Sequence, residues 1–386
     1  MTSKIELLKN IGIDIRLPER RIKGRVYELP EDFIVREIHG EEVCSIDKEN
    51  LEVRYPIKEP YIHAVLVKKN ISTFEACKIF AEANDLDYFN DISVCGLKDT
   101  FGITSQKICI RNYKKLESTV FDNFFLKNFQ GSVKKLSTRD HTGNNFIITV
   151  RNAGTDKKEI NEVLENITSG LPNFYWFQRF GIRQNNHRLG KLLIQKKYEE
   201  FIFHFLSDSM NEEGRVQTVR NSLAENIGDW NKCLKIVENT DLQDEKELIA
   251  SLCKCSSPEE AIKRMKLSRF FVHSYVSYLF NRALSKFIRE NGYKQVLIEK
   301  IGKNSQLDSL NKEIYKEIME DEGLTLNDIK QSAFLSEGHP RRSLFYPKNL
   351  TFSQKEELVI SFDLGIGEYA SLVLDFVVDT DRIKWC

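Results

Sequence analysis

No run of the 386 residues approaches the roughly 18 consecutive apolar positions that a bilayer-crossing helix needs, and the opening Met1-Thr2-Ser3-Lys4-Ile5-Glu6 has no apolar signal core. A membrane-spanning helix is therefore not expected, and a cytoplasmic location is, or a nuclear one in a eukaryotic host. Net charge is also lacking: Lys plus Arg and Asp plus Glu both number 57, so global electrostatics gives no pointer to nucleic acid. There is no P-loop, no GxGxxG strand-helix unit and no zinc-type spacing, which removes the common nucleotide, dinucleotide and structural-zinc readings. The eight cysteines are scattered, several inside apolar runs, as reduced buried thiols would be; only Cys253 and Cys255 lie close, and without a second ligand pair they read as ordinary helix residues. No internal repeat, low-complexity segment or coiled-coil seam is present, so a monomer is expected.

What is present is an ordinary globular composition, 41% hydrophobic and 30% charged, on a chain long enough for two domains. Basic residues cluster locally, at Arg16, Arg20, Arg21, Lys23 and Arg25 and again at Arg179, Arg183, His187, Arg188 and Lys191. Each cluster is either a phosphate-neutralising patch or a solvated face.

The stretch Gly96 to Gln106 carries the most chemistry. It lies between the short apolar runs Ile92-Ser93-Val94-Cys95 and Lys107-Ile108-Cys109-Ile110-Arg111, which read as strands, so it is a loop. Between two glycines sit Lys98 and Asp99. A carboxylate held beside a lysine stays ionised at neutral pH and can serve as nucleophile or general base; alternatively Asp99 is simple turn chemistry.

Upstream, Leu29 to Ile38 begins with a Pro-acid turn and becomes an alternating strand that turns Phe33 and Val35 to a core. Glu37 on that strand is either a solvent residue or an inward one, and an inward glutamate needs a partner such as Lys98. Tyr61 to Val67 is a further strand, with His63 read as a packed histidine. Ser72 and Glu75 make a capping box that opens a helix to about Leu86, with Phe74, Cys77 and Ala81 as its apolar stripe. Thr142 to Arg151 reads as a turn and strand, Asn144 being a turn residue.

Further on, Asn173-Phe174-Tyr175-Trp176-Phe177-Gln178-Arg179 places four consecutive aromatics beside an arginine, which is either plain core or a surface for a base taken out of its stack. Lys196 to Lys263 is charged and helical in pattern. Ser268 to Arg282 is a strongly apolar helix with a stripe of Phe271, Tyr275, Tyr278 and Arg282, His273 being structural. A turn at Gly338 to Arg342 and a strand at Leu358 to Phe362 close the chain.

These stretches resemble the TruD family of pseudouridine synthases. Gly96, Lys98, Asp99, Thr104 and Gln106 match its G-x-K-D-x-x-A-x-T-x-Q signature, with Gly102 in place of alanine. Pro30, Glu31, Asp32, Phe33, Val35 and Glu37 match P-E-D-F-x-V-x-E, and Asn144 stands at the asparagine of G-N-x-F. Asn173 to Gly181 is similar to N-Y-F-G-x-Q-R-F-G, with the first two aromatics reversed and Trp176 replacing a glycine. Gly365 to Ser371 is similar to L-P-x-G-x-Y-A-T, and Asp375 stands where an arginine is common.

The resemblance implies an α+β fold: a pseudouridine-synthase mixed β-sheet catalytic domain, residues 1–185 and 341–386, with a mainly helical TruD-type insertion domain, residues 186–340, and an RNA cleft between them. It implies conversion of a specific uridine to pseudouridine in RNA, most often tRNA, where position thirteen of the D-arm is the usual bacterial target. Asp99 would be the nucleophile and Lys98 its electrostatic partner. Tyr175 would stack on the uracil, Asn173 and Glu37 would position loop or substrate, and Arg179, Arg183 and Arg188 would contact phosphate. Neither metal nor cofactor is required. The competing readings are a uracil-directed hydrolase using Asp99 on water, and an RNA-binding protein without catalysis.

Overall fold

Alternation of apolar residues along short strands sets up one large sheet. The computed structural model describes residues 4–137, 140–153 and 157–379. Its principal strands are β1 (Phe33–His39), β2 (Tyr61–Lys69), β3 (Ile103–Arg111), β4 (Phe124–Ser132), β5 (Gly143–Val150), β6 (Lys348–Gln354) and β7 (Leu358–Gly365). They lie in the order β6-β7-β5-β1-β3-β2-β4, with Glu42–Val43 beside β1 and Ile92–Val94 beside β3 completing nine strands. All pairs are antiparallel except β1 with β3, so the sheet is mixed, as expected.

The two faces of β2 show what holds the sheet. Ile62, Ala64 and Leu66 pack with Ala76, Cys77, Phe80 and Ala81 of the helix Thr73–Glu82, while Val65 and Val67 pack with Cys44 and Phe125 on the other side. Ser72 caps that helix, its hydroxyl accepting from the Glu75 N–H at 3.1 Å. The expected stripe needs one correction. Phe74 is exposed, because the buried line runs through Thr73, Ala76, Cys77, Phe80 and Ala81; its ring meets Tyr88 edge-on instead.

The chain divides into two compact units. One runs from Pro18 to Gly170 and resumes at Tyr346; it holds the large sheet. The other spans Leu171–Phe345 with the chain up to Leu17, and it is built around the 24-residue helix Ser268–Asn291. The helix Asn186–Ile194 crosses that long helix at Gly190, where a Cβ would stand 2.0 Å from the Phe271 carbonyl oxygen. The expected boundaries at 185 and 341 are therefore displaced. Leu171–Pro172 pairs with Leu344–Phe345, and the Asn281 amide bonds both backbone groups of Tyr175 and the carbonyl of Ile11. These bonds draw the aromatic stretch and the N-terminal helix Lys4–Asn10 into the helical unit.

Lys196 to Lys263 is helical as expected. Gly338 to Arg342, expected as a turn, instead forms the strand His339–Arg342 against Leu297–Lys300. Cys253 and Cys255 follow the helix Gln243–Leu252 rather than lying in it. Among the described residues, no helix is long and apolar enough to cross a membrane.

Candidate active site

The Asp99 loop hangs from buried polar side chains. Gln106 on β3 is fully buried; its amide donates to the Gly96 carbonyl at 2.8 Å and accepts from the Thr73 hydroxyl at 2.9 Å. Thr73 Oγ1 in turn accepts from the Lys98 N–H at 3.2 Å. At the other end Gly102 donates to Asn70 Oδ1 at 3.1 Å. Gly102 has φ +100°, and a Cβ there would lie 2.3 Å from the Phe33 carbonyl oxygen, so the glycine is required by this backbone. The spacing of glycine, lysine, aspartate and glutamine is thus the spacing of a loop and the strand residue that holds it; the stretch expected as loop to Gln106 is already strand from Ile103.

Lys98 is one of two cations whose charges oppose the rise in the Asp99 pKa, but the carboxylate it pairs with is Glu37. Its ammonium lies 2.5 Å from Glu37 Oε2, and Glu37 is wholly buried, so the inward reading of Glu37 with Lys98 as partner is the one realised. Burial pushes the Glu37 carboxyl up, but His39 at 2.7 Å and Lys98 outweigh it and hold the pKa below the usual carboxylate value. The cation that leads at Asp99 is Lys68, which sequence reasoning missed. Its ammonium donates to the Asp99 carbonyl at 2.5 Å and is the largest charge opposing the rise in the Asp99 pKa. A sequence signal was available: Lys68 continues the inward face of Ile62, Ala64 and Leu66, where a lysine is costly.

Solvent reaches Asp99, yet the mass of protein around it solvates the carboxylate poorly and raises its pKa, against Lys68 and Lys98. The Lys68 ammonium is itself lowered to about 8 by burial. Tyr27 also belongs to this neighbourhood and was not anticipated: burial first, then the charges of Asp99 and Asp375, push its phenol up. Asp375 is fully buried in the helix Ala370–Val377. Asn144, expected in a turn, sits within β5 directly across from Glu37, and its buried Oδ1 has no hydrogen-bond partner among the described residues. Glu37, His39 and Cys95 offer ligand atoms within 4.8 Å of one another. A metal fits poorly there, because Lys98 already neutralises Glu37 and burial pushes the Cys95 thiol up to about 12.

The other expected residues lie in the helical unit. Asn173 is tied to the strand His339–Arg342 and its end: its Nδ2 donates to the Arg342 carbonyl at 3.1 Å, and its carbonyl and side-chain oxygens accept from Arg341. Tyr175 is 6% exposed, with Arg341, Lys300 and Arg179 at 4.4, 5.2 and 5.6 Å from its ring centre. Trp176 is fully buried and meets Phe177 edge-on. Arg183 is committed internally, donating to the carbonyls of Phe205 and Asp208 and lying 4.0 Å from Glu212 and Glu245. Arg188 is exposed, bonded to Asn10 Oδ1 at 2.6 Å, and lines a cavity of about 720 Å³ with Lys9, His187, Lys191 and Tyr278.

The mixed sheet with its flanking helices has the pseudouridine-synthase fold. The crystal structure of a Methanosarcina mazei chain described as a tRNA pseudouridine synthase D (TruD) shares the fold, with a TM-score of 0.72 over 96% of this chain and 98% of that one at 22% identity. The chain belongs to the TruD family: the family model described as tRNA pseudouridine synthase D (TruD) matches residues 11–299. A probable tRNA pseudouridine synthase D of Methanococcus maripaludis strain C5 is 30% identical over 92% of this chain and 95% of its own length. One from Thermococcus sibiricus is 28% identical over 92% and 94%.

Proposed function

We propose that this enzyme converts a uridine of tRNA to pseudouridine, the reaction of its family, with Asp99 as the nucleophile. The reaction is an isomerisation: the bond from C1′ to N1 breaks, a bond from C1′ to C5 forms, N1 gains a proton and C5 loses one. Its atoms and electrons balance without a redox partner or co-substrate. The Asp99 carboxylate adds to C1′ or to C6, holds one fragment while the uracil turns, and leaves when the new carbon-carbon bond has formed.

The observation that carries this reading is the state of Asp99. It is reachable by solvent, its backbone is fixed by Lys68, and a raised pKa marks a carboxylate that is poorly solvated and hence more nucleophilic. Lys98, Glu37 and His39 form the buried polar base under the loop. Arg179 and Arg188 are the proposed phosphate contacts, whereas Arg183, held in its internal network, supports the fold. The Tyr175 ring is 6% exposed and has three cations within 5.6 Å of its centre, so Tyr175 is read chiefly as the element that gathers them. A tRNA substrate implies action in the cytosol, or in the nucleus of a eukaryote.

The test is Asp99→Asn assayed on tRNA transcripts, reading pseudouridine by nucleoside mass spectrometry and binding in parallel. Loss of pseudouridine with tRNA binding retained supports the proposal. Unchanged pseudouridine formation refutes Asp99 as nucleophile, and release of free uracil by the unaltered enzyme would make it a hydrolase.

A further inference from the structure

Lys300 is 7% exposed, and no hydrogen bond or ion pair to its ammonium is found among the described residues. A buried cation is normally paired, because removing it from water without a counter-charge is expensive. Here the neighbours make matters worse. Lys300 ends the strand Leu297–Lys300 opposite His339, and Arg341, opposite Ile298, projects from the same face of this two-stranded sheet. Arg179, from the turn Phe177–Phe180, is the third cation, with Nε donating to Ser277 at 3.1 Å and no carboxylate in ion-pair range among the described residues. All three converge on the ring of Tyr175 at 4.4 to 5.6 Å.

The remaining titratable groups around this point do not supply an anion. His273, on the long helix, is lowered to about 4 by burial and then by Lys300 and Arg179. His339 is lowered by burial and then by Lys300 and Arg341, with Glu299 opposing. Glu299 alternates to the opposite face of its strand and accepts from the Ser305 hydroxyl. Tyr315 donates its hydroxyl to the Glu299 carbonyl at 2.6 Å. Three cations gather at one aromatic ring, and among the described residues Lys300 has no counter-charge, so the cluster can seat an anion.

We propose that Lys300, Arg179 and Arg341 together bind a phosphodiester of the substrate RNA over Tyr175, with the Lys300 ammonium donating to a phosphate oxygen. The chemistry fits: guanidinium forks and an ammonium match phosphate oxygens. The identification of the anion as RNA rests on the reading of the chain as a tRNA-modifying enzyme. Burial, then Arg179 and Arg341, lower the Lys300 pKa to about 7. A bound phosphate raises it again, so RNA binding takes up a proton and weakens as pH rises past about 7.

The experiment compares the unaltered protein with Lys300→Met and Lys300→Arg, measuring tRNA affinity between pH 6 and 8.5 without turnover. The unaltered protein should lose affinity as pH rises, approaching tenfold per unit at the steepest. At pH 6, Lys300→Met should bind about tenfold more weakly, the order expected for one charge-assisted hydrogen bond, and lose that pH slope. Lys300→Arg should keep the affinity and also lose the slope, because arginine stays charged. Carbon-13 NMR of reductively methylated lysines gives a second readout: the Lys300 resonance should titrate near 7 in the free protein and at higher pH with tRNA bound. Equal affinity and an equal pH slope in all three proteins, or a Lys300 titration that tRNA does not move, overturns the seat. A protein that binds tRNA with this slope but makes no pseudouridine overturns the catalytic reading alone.

Discussion

The Lys98 ammonium sits 2.5 Å from Glu37 Oε2 although the next residue in the chain is Asp99. Two side chains that lie 61 positions apart in sequence, on β1 and on the loop before β3, neutralise each other where neither could be charged alone. The largest charge opposing the rise in the Asp99 pKa is instead a different cation, Lys68.

Breaking this pair should be costly. Glu37→Gln leaves the Lys98 charge buried without its counter-charge and should lower stability by about 3–5 kcal/mol. Glu37→Gln with Lys98→Met should recover part of the loss, as measured by urea denaturation of the two single variants and the double variant. Additive losses would show that the two groups do not interact.

The proposal that Asp99 is the nucleophile carries a pH dependence. An attacking carboxylate must be ionised, so the raised pKa of Asp99 should place the acid limb of single-turnover pseudouridine formation above the ordinary aspartate range. Lys68 opposes that rise, so Lys68→Met should move the limb to still higher pH and slow the reaction at pH 6 more than at pH 8. An acid limb that stays in place in this variant would rule out Lys68 as the charge partner.

Stability should show the opposite face of the same strain. A carboxyl whose folded pKa is raised binds its proton more tightly in the folded protein than in the unfolded chain. Ionised Asp99 therefore destabilises the fold, and the penalty disappears as pH falls below its unfolded value. Asp99→Asn should raise the thermal midpoint at pH 7, with the difference shrinking toward pH 4. A lower midpoint at pH 7 contradicts this.

Gly102 and Gly96 bound the same loop with different demands. Gly102→Ala meets both the φ of +100° and the Phe33 carbonyl, and should cost about 1–3 kcal/mol. Gly96→Ala meets nothing within 4 Å and should cost less than about 1 kcal/mol. Thermal melts of the two variants decide it, and the alanine usual at the Gly102 position in the family makes the first result informative about this chain's backbone.

Local chemistry was legible from residue order wherever it depended on neighbours a few positions away. Ser72 capping its helix, the alternation of Phe33 and Val35 toward the core, the loop between strands at Asp99 and the helices from Lys196 to Lys263 all follow from periodicities and caps that a linear chain displays. Signature spacing pointed to the family for the same reason, since Gly96, Lys98 and Asp99 form one loop that Gln106, on the strand that follows it, holds by a hydrogen bond to Gly96.

Partnership between charges was not legible. Lys98 and Lys68 are both lysines near Asp99, and only the register of β2 against β3 brings Lys68 to the Asp99 carbonyl while Lys98 reaches Glu37. Nothing in residue order sets Lys300 apart from other lysines; the strand Leu297–Lys300 places it on one face with Arg341 and by the Tyr175 ring. Residue order by itself determined which groups could ionise and where most strands and helices would form, though not the strand His339–Arg342. Tertiary structure alone decided which charges are buried, which of them find a counter-charge and which are left waiting for one, because those energies depend on distance and solvent access between residues that sequence separation does not encode.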